Sequence, residues 1–164
     1  MKKKTTDKTF LFLAIIITTI FLIKFTPKNK VREAHVSFLF KQLITWIFGL
    51  LVVEKKLISY PTRIFFKNVN KTSFVFEYYI YPALSSLFNV HFPEKSNILI
   101  KFSHYFFFTA IIIIFEVLAV KYTGLIHYKK WKWQWSFISI WISYYVSRLY
   151  FRWFFKITPN NHNY

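Results

Sequence analysis

The sequence predicts an all-α, polytopic transmembrane helix bundle, a single membrane domain over residues 1–164. It holds five spans, or four spans plus one re-entrant helix. Three observations carry this expectation. Of 164 residues, 55% are hydrophobic and 24% aromatic, including 22 Phe, 11 Tyr and 6 Trp, more than a soluble domain of this size could cover. The apolar residues gather in runs near the ~20 residues that a helix needs to cross the hydrocarbon core. The 23 Lys and Arg, against 6 Asp and Glu, give a net charge of +17 that stands mostly between those runs. The absence of Cys excludes a disulfide scaffold and a Cys-ligated metal site.

Taken in order, the first span covers about 9–25, an apolar run bracketed by Lys8 and Lys24 and closed by Pro27. Lys2, Lys3 and Lys4 before it give it the look of a signal peptide. No small-x-small cleavage site follows, so it reads as an uncleaved first span. The second covers about 36–53, interrupted only by Lys41 and stopped by Glu54-Lys55-Lys56. Residues 57–70 mix bulky apolar side chains with Arg63 and Lys67 and are too charged to span. They read as a segment lying in the lipid interface. The third span, about 73–90, is aromatic and apolar but contains Glu77 and Pro82. The fourth, about 98–120, holds Ile111 to Ile114 and Glu116; the fifth, about 133–155, carries Arg148 and Arg152 near its far end. Trp131, Trp133 and Trp135 mark the entry to this last span as an aromatic belt.

Lys and Arg in short loops set orientation. Whether 73–90 crosses or dips, thirteen of them fall on the side of the N-terminus and eight on the other. The N-terminus is therefore expected in the cytoplasm, while the side of the C-terminus stays open.

Charges at membrane depth are costly and mark candidate sites. Four stand out: Lys41, Glu77, Glu116 and Arg148. Glu116 lies five residues from Lys121, roughly 7–8 Å along a helix, and Arg148 sixteen residues past Lys132, about 24 Å, so the two face opposite leaflets. With five spans, Glu77 and Glu116 share the cytoplasmic level, and Lys41, His104 and Arg148 lie toward the outside. Two carboxylates at one level either share a proton or a cation, or are neutralised by Arg63, Lys67 and Lys121. Pro82 has no N–H for the Tyr78 carbonyl and leaves that group to be satisfied elsewhere.

In the last span Ser136, Ser139, Ser143 and Ser147 recur at spacings of 3, 4 and 4 and share a face. Small hydroxyl residues let helices approach closely, so this face should pack inside the bundle or against a second copy or another membrane protein. Trp141, Tyr145, Arg148 and Arg152 form another face, whose arginines either bind an anion or snorkel to anionic headgroups.

Familiar chemistry is missing. Gly49 and Gly124 are the two glycines, which excludes a P-loop and a dinucleotide fingerprint. The five His are scattered without metal-ligand spacing, and Asp7, the single Asp, stands near the N-terminus, away from any triad. Neither a catalytic residue nor a cofactor or metal is expected. Nucleic acid is not an expected partner either, because the positive charge is divided between the two sides of a bilayer. Lipids are the expected partners.

Tyr60-Pro61-Thr62-Arg63, Phe76-Glu77-Tyr78-Tyr79-Ile80-Tyr81-Pro82, Phe115-Glu116, Lys121-Tyr122-Thr123-Gly124 and Trp131-Lys132-Trp133, followed by Arg148, together carry a resemblance. The chain resembles a family of small, uncharacterised integral membrane proteins of Bacillus, Clostridium and related spore-forming Firmicutes, over nearly its whole length. Members of that family often carry Asp where this chain has Glu77. The resemblance implies a bacterial plasma membrane and no chemistry. The expectation is thus a non-enzymatic multi-pass membrane protein working by helix packing and lipid contact, in an envelope or spore-related assembly. The alternative is a small oligomeric transporter or channel using Glu77 and Glu116.

Overall fold

The structure, a computed structural model, describes residues 2–65, 68 and 71–157, with side chains from Asp7 onward. It is mostly helical. Five helices follow one another as α1 (Lys2–Phe25), α2 (Val31–Glu54), α3 (Tyr81–Val90), α4 (Ile98–Tyr122) and α5 (Trp133–Phe154). Pro27 and a tight helical turn at Lys28–Lys30 reverse the chain after α1. Because that turn leads straight into the next helix, α2 begins five residues before the expected 36.

Region 73–90 is helical from residue 74 and opens with a wide π turn at Phe76–Ile80, directly before Pro82. Its ends meet opposite ends of the bundle: Glu77 lies against Gly49, near the end of α2, and the Val90 carbonyl lies 3.4 Å from Lys30 Nζ, at its start. It therefore runs through without turning back, and the other helices pack around it. Eight of the ten residues of α3 are buried.

Asp7, near the start of α1, reaches the loops after α2 and after α4. Its carboxylate accepts from Thr62 Oγ1 at 2.9 Å and from the Gly124 N–H at 3.0 Å. Gly124 is what allows this approach, since a Cβ there would press on the carboxylate. The same loops join as a two-stranded antiparallel bridge, β1 (Ile58–Ser59) with β2 (His127–Tyr128), pairing Ile58 with Tyr128. This small strand pair is an exception to the all-α expectation. It folds the first part of the 57–70 segment onto the bundle end, with Ile58 buried and Tyr60 half-buried. We call this the inner end; the outer end gathers Lys30, Val90, Glu94 and Arg148.

Three helical stretches are long and apolar enough to cross a membrane: Asp7–Phe25, Lys28–Glu54 and Ile98–Tyr122. Helix α5 is diluted by Ser, Trp, Tyr and Arg, and α3 is short. The distribution of polarity is nevertheless inverted relative to a soluble bundle. Leu13, Ile16, Ile17 and Ile20 of α1 and Phe102, Phe106 and Phe107 of α4 are half exposed, while Ser37, Lys41, Ser85, Asn89, Thr109 and Ser147 are buried. Polar side chains inside and aliphatic ones outside is what a lipid solvent asks for. The apolar part of the interior has two centres. Leu11, Val75, Phe76, Ile80 and Leu125 pack toward the inner end, and Phe88 packs against Tyr144 and Ile112 toward the outer end.

Candidate functional site

Polar side chains line the face of α3 and its π turn that looks toward α2 and α5, and they open into a chamber at each end. The inner chamber begins with a backbone problem. Pro82 cannot donate to Tyr78, and the π turn shifts the pattern so that the Tyr81 N–H bonds the Phe76 carbonyl. The carbonyls left over are satisfied by α2. Gln42 Nε2 donates to the Tyr78 carbonyl at 3.0 Å, and Thr45 Oγ1 donates to the Glu77 carbonyl at 2.6 Å. Gln42 and Thr45 thus lock the wide turn against α2, which carries Gly49 one turn further on.

Gly49 makes room for Glu77. A methyl group at this position would overlap the Glu77 carboxylate, so the acid occupies the notch that the missing side chain leaves. Glu77 is 2% exposed, has Tyr60 and Thr72 as polar neighbours, and neither of its oxygens makes a hydrogen bond of good geometry among the described residues. Glu116 of α4 faces the same space. It accepts from Tyr128 Oη and from Ser136 Oγ, both at 2.6 Å, and Trp131 Nε1 holds that serine at 2.8 Å. The two acids line one cavity of about 70 Å³, together with Tyr60, Tyr81, Ser139 and Ser143.

The phenols over this chamber stay protonated. Burial, and after it the Glu77 and Glu116 charges, push Tyr60 well above the ordinary tyrosine value. Burial and the Glu116 carboxylate push Tyr128 up as well. Both are thereby kept as donors toward carboxylates.

The expected neutralisation of Glu77 and Glu116 by Arg63, Lys67 and Lys121 is not what the described residues do. Among the described residues no Lys or Arg lines the cavity that the two acids share. Lys121 is exposed and lies over the Tyr122 ring, and Arg63 is half-buried in the loop after β1. Lys67 lies outside the described residues. The physical reason is the small size and the lining of the shared cavity, about 70 Å³ bounded by Tyr60, Tyr81, Trp131, apolar side chains and serines.

Lys41 sits two turns of α2 farther out, 1% exposed, with Nζ donating to Ser143 Oγ at 2.6 Å and lying 4.1 Å from the centre of the Tyr144 ring. Beyond it the network thickens. Asn89 Nδ2 donates to Ser37 Oγ at 2.7 Å and to Ser147 Oγ at 3.1 Å, while Ser37 donates to the Ser85 carbonyl at 3.0 Å. Of the serine stripe, Ser136 and Ser147 are buried in such contacts; Ser139 and Ser143 are half-buried and bond back to their own helix at Ser136 and Ile140.

Arg148 does not snorkel to the surface. It is 4% exposed, donates through Nη1 to the Asn89 carbonyl at 3.0 Å and pairs through Nη2 with Glu94. Its guanidinium lies 4.2 Å from the centre of the Phe92 ring. Glu94, in the loop after α3, also meets Arg152 Nε at 3.6 Å. These groups form the floor of an outer cavity of about 760 Å³. The depth separation of Glu116 and Arg148 read from the sequence is thus present as two chambers at opposite ends. The entry tryptophans divide: Trp131 is half-buried in the Ser136 contact, and Trp133 is half exposed at the start of α5.

Sequence reasoning missed Gly49, Tyr60, Tyr128, Asn89 and Glu94. The scarcity of glycine was a usable signal, since both glycines in the chain turn out to sit against a carboxylate, Gly49 on Glu77 and Gly124 on Asp7. Among the described residues no group of three metal-ligating side chains exists. Compared with protein families, curated proteins and solved structures, the chain matches none.

Proposed function

We propose that the chain is a non-enzymatic multi-pass protein of a bacterial plasma membrane, N-terminus in the cytoplasm, in which all five helices cross and the Glu77–Glu116 chamber takes up a proton or small cation. The observation that carries this reading is the convergence of two buried acids on one cavity that, among the described residues, no Lys or Arg lines. Holding two uncompensated carboxylates at membrane depth is expensive, and a mobile positive charge is the direct way to lower that cost. Transport or channel activity is the function such a chamber serves.

The experiment is ion flux in proteoliposomes under imposed proton, Na⁺ and K⁺ gradients. Wild type is expected to carry flux that the Glu77→Gln, Glu116→Gln double variant loses while its thermal unfolding is little changed. A wild type silent under all three gradients ends the transport reading. The second reading, a scaffold working by helix packing and lipid contact, is favoured by the buried Ser136 and Ser147 on the stripe. It expects the same double variant to alter stability and nothing else. A reporter fused to the C-terminus tests the five crossings, which require it outside.

A further inference from the structure

The outer cavity has a different chemistry from the inner chamber. We infer that it is a binding site for a phosphate-bearing ligand, with the charged group held at the Arg148–Arg152 floor. Three features carry this. The first is charge. Arg148, Arg152, Lys30, Lys95 and Lys101 line the cavity, against Glu33 and Glu94, so a surplus of positive charge remains after Glu94 has paired with the two arginines.

The second is an unmet donor. Arg148 is held rigidly by Asn89, Glu94 and the Phe92 ring, yet its Nε is buried without a hydrogen-bond partner among the described residues. A buried guanidinium N–H without an acceptor is costly, Arg148 is among the residues that line the cavity, and a phosphate oxyanion is an acceptor that a guanidinium fits well. The adjoining start of α4, capped by Asn97, adds the partial positive charge of a helix amino end close to Ser96 and Lys101.

The third is size and wall chemistry. About 760 Å³ is far more than one inorganic phosphate fills and lies in the usual range for an organic ligand. Phe92, Phe151, Phe155 and Ile157 form its apolar side. A phosphate ester of an organic alcohol, with its carbon part toward the apolar side, satisfies both halves, whether it is an anionic lipid headgroup or a free organic phosphate. The chemistry shared by the two sources is the phosphate group on an apolar stem.

The test uses the full chain purified in a neutral detergent. Three probes are titrated: short-chain phosphatidylglycerol, short-chain phosphatidylcholine and glycerol 3-phosphate. Thermal unfolding and native mass spectrometry give the readout. Saturable binding of phosphatidylglycerol alone supports the site with a lipid as its source; saturable binding of glycerol 3-phosphate as well supports it with a free phosphate as its source. In either case the rim variant Lys95→Gln, Lys101→Gln, which leaves the buried floor intact, is expected to weaken binding at least about tenfold. The inner-end variant Lys129→Gln, Lys130→Gln carries the same change in net charge and should bind as wild type does. Failure of every probe to saturate overturns the inference. So does preference for phosphatidylcholine, or an equal loss in the rim and inner-end variants, which would reduce the effect to net charge.

Discussion

The two ends of this bundle solve the problem of buried charge in opposite ways. At the outer end the charge comes with its partner: Arg148 is paired to Glu94, which also meets Arg152, and aromatic faces cover the guanidinium. At the inner end two carboxylates share a small cavity with neutral hydroxyl donors and, among the described residues, no Lys or Arg in its lining. At the outer end the buried arginine finds its acid within the protein, and what stays open there is the Arg148 Nε donor and a surplus of basic side chains around the cavity. The inner cavity has no such basic side chain in its lining, and the proposed function rests on that difference. The same protein thus contains a formed ion pair at one end and, at the other, two acids whose shared cavity no Lys or Arg lines among the described residues.

That contrast can be broken by substitution. The largest effect is expected for Arg148→Ala, which leaves Glu94 with the longer Arg152 contact alone and the Asn89 carbonyl without its arginine donor. Stability should fall by about 3 kcal/mol, measured by denaturant unfolding in detergent. Next comes Gly49→Ala, whose methyl group competes with the Glu77 carboxylate for one space. A loss of about 2 kcal/mol is expected, largely recovered in Gly49→Ala, Glu77→Ala, and a double-mutant cycle without coupling would remove the notch from the account. Thr45→Val keeps the shape but withdraws a hydroxyl from the Glu77 carbonyl, and should cost about 1 kcal/mol by the same assay.

The smallest effect is on pH. The Tyr60 and Tyr128 phenols are raised above the ordinary value near 10. Their contribution is complete below that pH and is lost as pH climbs through the raised values, because the unfolded chain ionises first. Tyrosinate absorbance should therefore lag in the folded protein, and Tyr60→Phe with Tyr128→Phe should reduce the lagging fraction by the share of those two phenols.

Much of the frame was legible in the sequence because long apolar runs and their basic flanks act locally. Lys24, Pro27, Lys121 and Trp133 mark helix ends that the structure places within a few residues. The missing N–H of Pro82 could likewise be anticipated, since a lost donor is a property of one residue. What supplies the substitute donors could not, because Gln42 and Thr45 lie on another helix at a distance in sequence that no periodicity encodes. Asp7 and Glu94 were overlooked for a related reason. Both stand outside the deep apolar stretches, where a charge attracts no notice. Yet one pins two loops together and the other holds the buried arginine.

The wide turn at Phe76–Ile80 acts as a phase corrector. Twelve residues separate Glu77 from Asn89. In an unbroken α-helix that spacing rotates the second side chain by about 120° from the first, whereas one extra residue taken up in a π turn cuts the offset to about 20°. The acid of one chamber and the amide at the floor of the other are thereby aligned on the same side, toward α2 and α5. Removing a single residue from the turn would leave a better helix with its two polar ends pointing apart. The irregularity is what lets one short helix serve both chambers.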